Sequence, residues 1–328
     1  MPTSGRRLAY AKMLTDGKHP LVARVLMNRV WLNHFGRGIV GTPGDFGMLG
    51  ERPTHPELLD WLASEFMTGG GAGEHWTLKR MHRLIMTSAA YRQSSQHRPE
   101  LDSIDPDNRL LGRMNVRRIE AEAIRDAVLF VSGNLNEKMY GPPLPTAENS
   151  LGEIVVGKQV RDVNRLKSKA EPIGDEEFRR SVYVQVHRSE PLAVLEAFDL
   201  PPMTPNCDVR RCSTVAPQSL VFLNDAFVVS QAETFAGRLR KEHPVHLKAQ
   251  IEAAWALLYA ATPTREELND AVSFISEQEQ YFRSLVKPVA KSPTTKPTTK
   301  PVGPDPKSQA LAAWCQALLG TNRFLYVD

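Results

Sequence analysis

The sequence has no apolar run long enough to cross a bilayer, and no secretory signal peptide is recognisable at its start. Its 328 residues carry 41 basic and 37 acidic side chains, and a net charge of +4 is too even to predict a nucleic-acid-binding protein. The opening residues lead straight into a helical pattern, which is typical of a cytoplasmic start or of an excised domain. These absences leave the classes of globular enzyme, binding module and interaction domain.

Cysteine is scarce, with only Cys207, Cys212 and Cys315 present. The first two are close enough in sequence for a local bridge, but two buried free thiols are the simpler expectation. No Cys-x-x-Cys-His haem-attachment motif, His-Glu-x-x-His zinc motif or Gly-x-Ser-x-Gly nucleophile elbow occurs. We therefore expect no cofactor and no metal in this chain.

The stretch 20–66 contains two patterns that imitate nucleotide-binding motifs. Gly36-x-Gly38-x-x-Gly41 resembles a phosphate loop, but a helical pattern precedes it where a strand is required, and Gly36 suits the position just past a helix C-terminus. Asp45-Phe46-Gly47 follows almost at once, whereas a kinase separates its two motifs widely. The stretch predicts a helix, a Gly-rich loop and a second helix.

Capping patterns mark where two helices begin. Thr54 and Glu57 form a Thr-x-x-Glu box around Pro56, and Thr264 repeats the pattern with Glu267. Ser213 and Thr214 would likewise cap a helix that starts near Ala216. We predict these threonines and serines as caps.

Helical periodicity dominates the chain and predicts a mainly α fold, a multi-helix globular module in two packed lobes with a small β-hairpin. The hairpin strands are expected at 153–156 and 181–186, and one continuous helix is expected over 216–239. We expect an N-terminal helical lobe (1–135), a loop-rich connection with the hairpin (136–187) and a C-terminal helical lobe (188–328). The last contains a Lys/Pro/Thr-rich insertion at 287–307 that is expected to be disordered.

An ordered series of motifs resembles a known family. The series includes Asn28-Arg29-Val30-Trp31, Phe35-Gly36-Arg37-Gly38, His55-Pro56-Glu57-Leu58-Leu59-Asp60-Trp61, Arg117-Arg118-x-Glu120-Ala121-Glu122 and Leu223-Asn224-Asp225-x-Phe227-Val228. From about Arg6 to Asp328, the chain resembles the planctomycete-specific C-terminal domain of unknown function (domain of unknown function 1553). The Lys/Pro/Thr-rich insertion is not a usual part of that pattern.

The resemblance implies a setting rather than a reaction. Proteins of this family accompany cytochrome-c-like modules and look exported, so it implies a periplasmic or cell-envelope location. The implied partner is a haem-bearing cytochrome-like module of the same or a neighbouring protein, with polysaccharide as a further partner. The family supplies no catalytic residues to carry over.

The candidate site residues come from two places. Asp45, His55, Glu57 and Arg92 belong to the Gly-rich loop and its surroundings, where loops between rigid helices concentrate binding groups. Glu122 and Asp126 lie one turn apart on a helix rich in both charges, where they form either a carboxylate pair or part of a surface salt-bridge ladder. The ladder is the simpler interpretation.

Three functions stay open on this evidence. The first is an accessory or interaction module without catalysis. The second is a polysaccharide-acting hydrolase or lyase that uses carboxylates and His55 near the loop 36–50. The third is a surface that docks a c-type cytochrome through its arginines.

Overall fold

The computed structural model describes residues 4–71, 73–160, 169–201, 207–210, 212–285 and 305–327. Most of the insertion expected at 287–307 lies outside these residues; its last three, 305–307, belong to the start of a helix. The chain forms two compact units, residues 1–117 and 118–327, which we call unit 1 and unit 2. The expected division at 135 and 188 stays a prediction.

Unit 1 is helical in its described part. Its helices are α1 (Arg6–Thr15), α2 (Val22–Phe35), α3 (Pro56–Thr68), α4 (Leu78–Met86) and the short α5 (Pro99–Asp102). Met27, Phe35, Leu62, Phe66 and Met81 are almost fully buried and form the centre of its core. Helices α2, α3 and α4 therefore carry the apolar faces that hold this unit together.

The Gly-rich segment of unit 1 is a loop that joins α2 to α3, as predicted. Gly36 ends α2 with a φ of 78°, a left-handed conformation, and its N–H bonds to Leu32 O. The fully buried Asn28 side chain then fixes the loop, because its Nδ2 donates to Val40 O (3.0 Å) and its Oδ1 accepts from Val40 N (2.8 Å). The glycines of this segment belong to a turn that follows a helix.

Unit 2 contains most of the secondary structure. Its helices are α6 (Ala121–Ser132), α7 (Ala193–Ala197), α8 (Ala216–Asn224), α9 (Ala226–Glu242), α10 (Leu247–Tyr259), α11 (Arg265–Leu285), α12 (Pro306–Leu319) and α13 (Asn322–Leu325). Its core is built from the apolar faces of α6, α9, α10 and α12, with Phe235, Leu239 and Ile251 fully buried and Trp255 stacked on Trp314. The prediction of a mainly α fold is confirmed.

Strands are short and lie mostly between α6 and α7. They are β1 (Arg117–Arg118), β2 (Thr146–Glu148), β3 (Ile154–Val156), β4 (Lys158–Val160), β5 (Lys169–Glu171) and β6 (Tyr326–Val327). β2 pairs antiparallel with β3, and β4 with β5. A small hairpin is thus confirmed, but its partner strand is β2. Residues 181–183 form a 3-10 turn instead, so pairing of 153–156 with 181–186 is wrong.

At three places where helix boundaries were predicted, one expected cap is wrong, one expected helix is interrupted and one capping box is confirmed. Thr54 does not cap α3, since His55 occupies the cap position and Thr54 Oγ1 contacts Ile39 O and His55 Nδ1. The expected helix 216–239 is interrupted at Asp225, which ends α8 and caps α9. The Thr264–Glu267 capping box is present, with both reciprocal bonds formed.

The three cysteines are free thiols. Cys315 is fully buried, but Cys207 and Cys212 are exposed, so the expectation of two buried thiols in that segment is wrong. Within the described residues, no helix combines the length and the apolar character that a bilayer-spanning segment needs.

Candidate functional site

Asp45, the first of the loop candidates, forms hydrogen bonds within its own turn. Its Oδ1 accepts from Gly47 N at 2.7 Å, and its carbonyl accepts from Thr42 Oγ1 at 2.8 Å. Thr42 Oγ1 also accepts from Glu51 N, which closes the loop. The polar groups of this segment therefore stabilise backbone, as short Asp and Thr side chains do in turns.

The other candidates of unit 1 are distributed around its surface. His55 is half-buried at the start of α3, where its Nδ1 lies 2.9 Å from Thr54 Oγ1. Glu57 is exposed in the first turn of α3, and Arg92 is exposed after α4. No described residue bonds either of these two side chains, and neither lines the small cavity of about 170 Å³ beside the loop.

Glu122 and Asp126 lie in unit 2, one turn apart on α6, and each bonds its own partner. Arg210 donates to both oxygens of Glu122, at 2.6 and 3.0 Å. Burial raises the pKa of Glu122, but the bonds and charge of Arg210 together with a backbone N–H bond lower it overall. Asp126 accepts from the N–H and the hydroxyl of Ser181, both at 2.7 Å. The two carboxylates hold separate segments against α6.

The expected surface ladder on α6 is also wrong, because two arginines of this region are buried. Arg118 bonds Asp199 Oδ2 at 2.7 Å and the carbonyls of Phe198 and Ser213. Ser213 donates its N–H and hydroxyl to Asp199 as well. Ser213 is thus an anchor for Asp199 rather than a helix cap, and Val215 occupies the cap position of α8.

The second of these arginines, Arg125, and a third buried arginine, Arg179, are both bonded to the segments around 176–183. Arg125 donates to Arg179 O (3.0 Å), Ser181 Oγ (3.2 Å) and Glu177 O (2.6 Å). Arg179 is fully buried, donates to the carbonyls of Lys138, Pro142 and Tyr140, and stacks on the Tyr183 ring at 4.2 Å. Burial lowers the pKa of Arg125 to about 10, so it stays charged at neutral pH.

Arg125 and Glu177 line one side of a cavity of about 360 Å³ in unit 2. Residues of β3, β5, α7 and α9 and of the segment 177–178 surround it. Its walls are largely apolar, and the side chains that supply them are Ile154, Val155, Val156, Pro172, Phe178, Leu192, Val194 and Phe227. A concave apolar cavity with a few polar groups is the usual form of a small-molecule site.

Two carboxyl groups of the cavity have unusual protonation behaviour. Burial raises the pKa of Glu177, and the positive charge of Arg125 offsets this only in part. Burial also raises the pKa of Asp225, and the negative charge of Glu153 raises it further. The N–H bonds that Asp225 accepts as the cap of α9 lower this pKa, but by less. Perturbed carboxyls in one cavity are a recognised mark of functional sites.

Gln231 places an amide donor at the same cavity. The residue is 2% exposed, and its Oε1 accepts from Asn134 Nδ2 at 2.8 Å and lies 2.9 Å from Ser132 Oγ. Its Nε2 donates to none of the described residues. The cavity therefore offers a fixed N–H donor together with the carboxylates of Glu177 and Asp225 as acceptors.

Sequence reasoning missed this site because its residues are far apart in the chain. Arg125, Glu177, Asp225 and Gln231 come from three separate segments. The one available signal was Leu223-Asn224-Asp225-x-Phe227-Val228, which is part of the family pattern and supplies two residues of the cavity. The pattern indicates the family, whereas the position of its residues in the cavity follows only from the three-dimensional fold.

Comparison with known proteins identifies the family. A family model, PSD1, described as a protein of unknown function (DUF1553), matches residues 6–275. The match covers most of the chain, so this protein belongs to that family, and the resemblance to domain of unknown function 1553 is confirmed over these residues. No curated protein and no solved structure matches it. The cavity, with its lining residues between 125 and 231, lies wholly inside the matched region.

Proposed function

We propose that this chain is an accessory ligand-binding module whose site is the cavity of unit 2, and that the ligand is a saccharide. The observation that carries the proposal is the convergence of Glu177, Asp225 and Gln231 on one apolar-walled cavity. Hydroxyl groups both donate and accept hydrogen bonds, so they match carboxylate acceptors and an amide donor, while the apolar faces of a sugar ring match Phe178 and Phe227.

Filling the cavity tests this proposal. Ser230 is an exposed cavity residue on α9, and Ser230→Trp would occupy the space with little cost to the fold. Glu233→Trp places the same side chain at an exposed position of α9 that does not line the cavity. In calorimetric titrations with a panel of mono- and oligosaccharides, Ser230→Trp should abolish binding and Glu233→Trp should retain it. Equal binding by both variants would contradict the proposed site.

Acid–base catalysis on a glycosidic bond is the second candidate. The pKa of Glu177 and of Asp225 is raised by burial, which is the direction of change that a general acid needs. Glycosidases use two carboxyl groups, one as acid and one as base or nucleophile. Release of reducing ends from polysaccharides, lost in both Glu177→Gln and Asp225→Asn, would support catalysis, and release unchanged in both would contradict it.

The setting of the module is part of the same proposal. Family resemblance supports an exported or periplasmic location and a haem-bearing c-type cytochrome module as partner. Three arginines that a docking surface could have used, Arg118, Arg125 and Arg179, are buried within unit 2. Docking would therefore depend on exposed arginines such as Arg52 and Arg92. Binding to cytochrome c that weakens steeply with added salt, and weakens further in Arg92→Ala, would support this partner.

A further inference from the structure

The charged groups around the cavity are unbalanced. Glu153, Glu171, Glu177 and Asp225 line it, and Arg125 is the one lysine or arginine among the described lining residues. Arg125 directs its Nη groups to the carbonyls of Arg179 and Glu177 and to a hydroxyl, so it bonds none of these carboxylates. Among the described lining residues, carboxyl groups therefore outnumber cationic groups by four to one.

Three of the carboxylates form no ion pair with a described lysine or arginine, although the charge of Arg125 acts on Glu177 from a longer distance. Glu153 Oε2 accepts from the neutral amide of Asn149 at 2.8 Å, and Asp225 Oδ1 accepts from the backbone N–H groups of Phe227 (2.8 Å) and Val228 (3.2 Å). The Glu177 carboxylate bonds no described residue. Four other partly buried or half-exposed carboxylates of unit 2 are paired, since arginines bond Glu122, Asp126, Glu176 and Asp199.

This contrast indicates what the cavity lacks. A partly buried carboxylate without a cation is costly, and the like charges of Glu153 and Asp225 interact closely enough for one to raise the pKa of the other. A cation that enters the cavity removes both costs. The described residues contain no group of three or more His, Cys, Asp or Glu that could hold a metal ion, so the geometry favours an organic cation.

Gln231 restricts the ligand further. Its side chain is 2% exposed and lines the cavity, and its Nε2 bonds none of the described residues, so this amide can donate to an acceptor oxygen of a ligand. A simple alkylamine supplies the cation but has no such oxygen. A ligand with an ammonium group and hydroxyl groups on one compact frame satisfies the carboxylates and the amide together.

We infer that the cavity binds an organic ammonium that also carries hydroxyl groups, the chemistry of an amino sugar with a free amine. This inference rests on the proposed function, because it names the class of saccharide that the cavity selects. The ammonium bonds Glu177 and the Glu153–Asp225 pair, and a ligand hydroxyl accepts from Gln231.

Three commercially available monosaccharides test the inference. Their binding to the whole chain is measured by isothermal titration calorimetry at neutral pH. Glucosamine carries the ammonium, glucose replaces it with a hydroxyl, and N-acetylglucosamine keeps the nitrogen but removes its charge. Glucosamine should bind at least about tenfold more tightly than the other two, as expected for charge-assisted hydrogen bonds. Equal affinity for all three overturns the ammonium inference and leaves a saccharide site in place.

A matched pair of variants assigns the preference to the cavity. Glu177→Gln removes a cavity carboxylate at constant shape, whereas Glu196→Gln removes an exposed carboxylate of α7 that does not line the cavity. Glu177→Gln should lower glucosamine affinity about tenfold and leave glucose affinity unchanged, and Glu196→Gln should change neither. A loss of glucose affinity of the same size would contradict a role specific to the ammonium. If no sugar binds, the inference fails, and the comparison of Ser230→Trp with Glu233→Trp on the wider panel decides the cavity separately.

Discussion

The loop between α2 and α3 in unit 1 and the cavity of unit 2 use polar side chains in opposite ways. In the loop, Thr42 and Asp45 bond backbone groups within a few residues of themselves. In the cavity, Glu177 and Gln231 come from distant segments and present a carboxyl group and an amide N–H that bond none of the described residues. Polar residues clustered in sequence are often consumed by the local backbone, whereas polar residues that converge through the fold remain available for a ligand.

The largest expected effect comes from the buried arginine that supports the cavity segment. Arg179→Met leaves the carbonyls of Lys138, Tyr140 and Pro142 without their donor, and it should lower the free energy of unfolding of unit 2 by about 3–5 kcal/mol. Urea unfolding followed by fluorescence measures this. The adjacent Arg180→Met, at a side chain 61% exposed, should change stability by less than about 0.5 kcal/mol. Similar losses in both variants would contradict the role given to Arg179.

The next effect concerns the loop of unit 1. Asn28→Ala removes the two hydrogen bonds that hold Val40, in a site with no access to water, and should cost about 2–3 kcal/mol. Asn33→Ala on the exposed side of the same helix, where the amide donates to Arg29 O, is the control and should cost well under about 1 kcal/mol. Thermal unfolding monitored by circular dichroism separates the two, and equal costs would show that the loop does not depend on Asn28.

A smaller effect is expected at the capping box of α11. Thr264→Ala removes the acceptor for Glu267 N, bonded at 3.2 Å, and should destabilise the chain by about 1 kcal/mol. This box was predicted from sequence and is present, whereas the box predicted at Thr54 is not. Thr54→Ala should therefore leave the N-terminus of α3 intact, and hydrogen exchange of the first turn of each helix can distinguish the two sites. Equal loss of protection in both helices would contradict this.

The smallest effect is a pH-dependent change in stability at Glu177. Its pKa is raised in the folded chain, so the folded state binds its proton more tightly than the unfolded state, and stability falls as pH rises from about 4.5 through the folded pKa. Glu177→Gln should raise the unfolding temperature at pH 7 and should not raise it at pH 4, where wild type carries the proton in both states. Differential scanning calorimetry at the two values measures this, and a pH-independent difference would contradict the assignment of burial as the cause.

Local patterns in the sequence were sufficient to predict the helices and the family. The periodicity of α2, the cap at Gly36 and the box at Thr264 depend on neighbours within four residues, and these predictions were confirmed. The partner of β3 was missed, because pairing depends on contacts beyond the local pattern. The break at Asp225 was missed because apolar residues continue on both sides of it.

The cavity could not be predicted from sequence for the same physical reason. The roles of Arg125, Glu177 and Gln231 depend on burial and on hydrogen bonds between residues that are 50 or more positions apart. An example is the 2.6 Å hydrogen bond from Arg125 to Glu177 O. On α6 the sequence pointed to Glu122 and Asp126, and these turned out to bond Arg210 and Ser181. Charge spacing on a helix does not reveal which charges a neighbouring segment will neutralise.

The central claim is that the ligand site lies in the cavity of unit 2 and not in the loop at 36–50. Titration of glucosamine into wild type, Glu177→Gln and Asp45→Asn tests it most directly, since each variant removes one negative charge at nearly constant shape. We predict a dissociation constant about tenfold higher for Glu177→Gln and unchanged for Asp45→Asn. A dissociation constant raised by Asp45→Asn and unaffected by Glu177→Gln would contradict the claim.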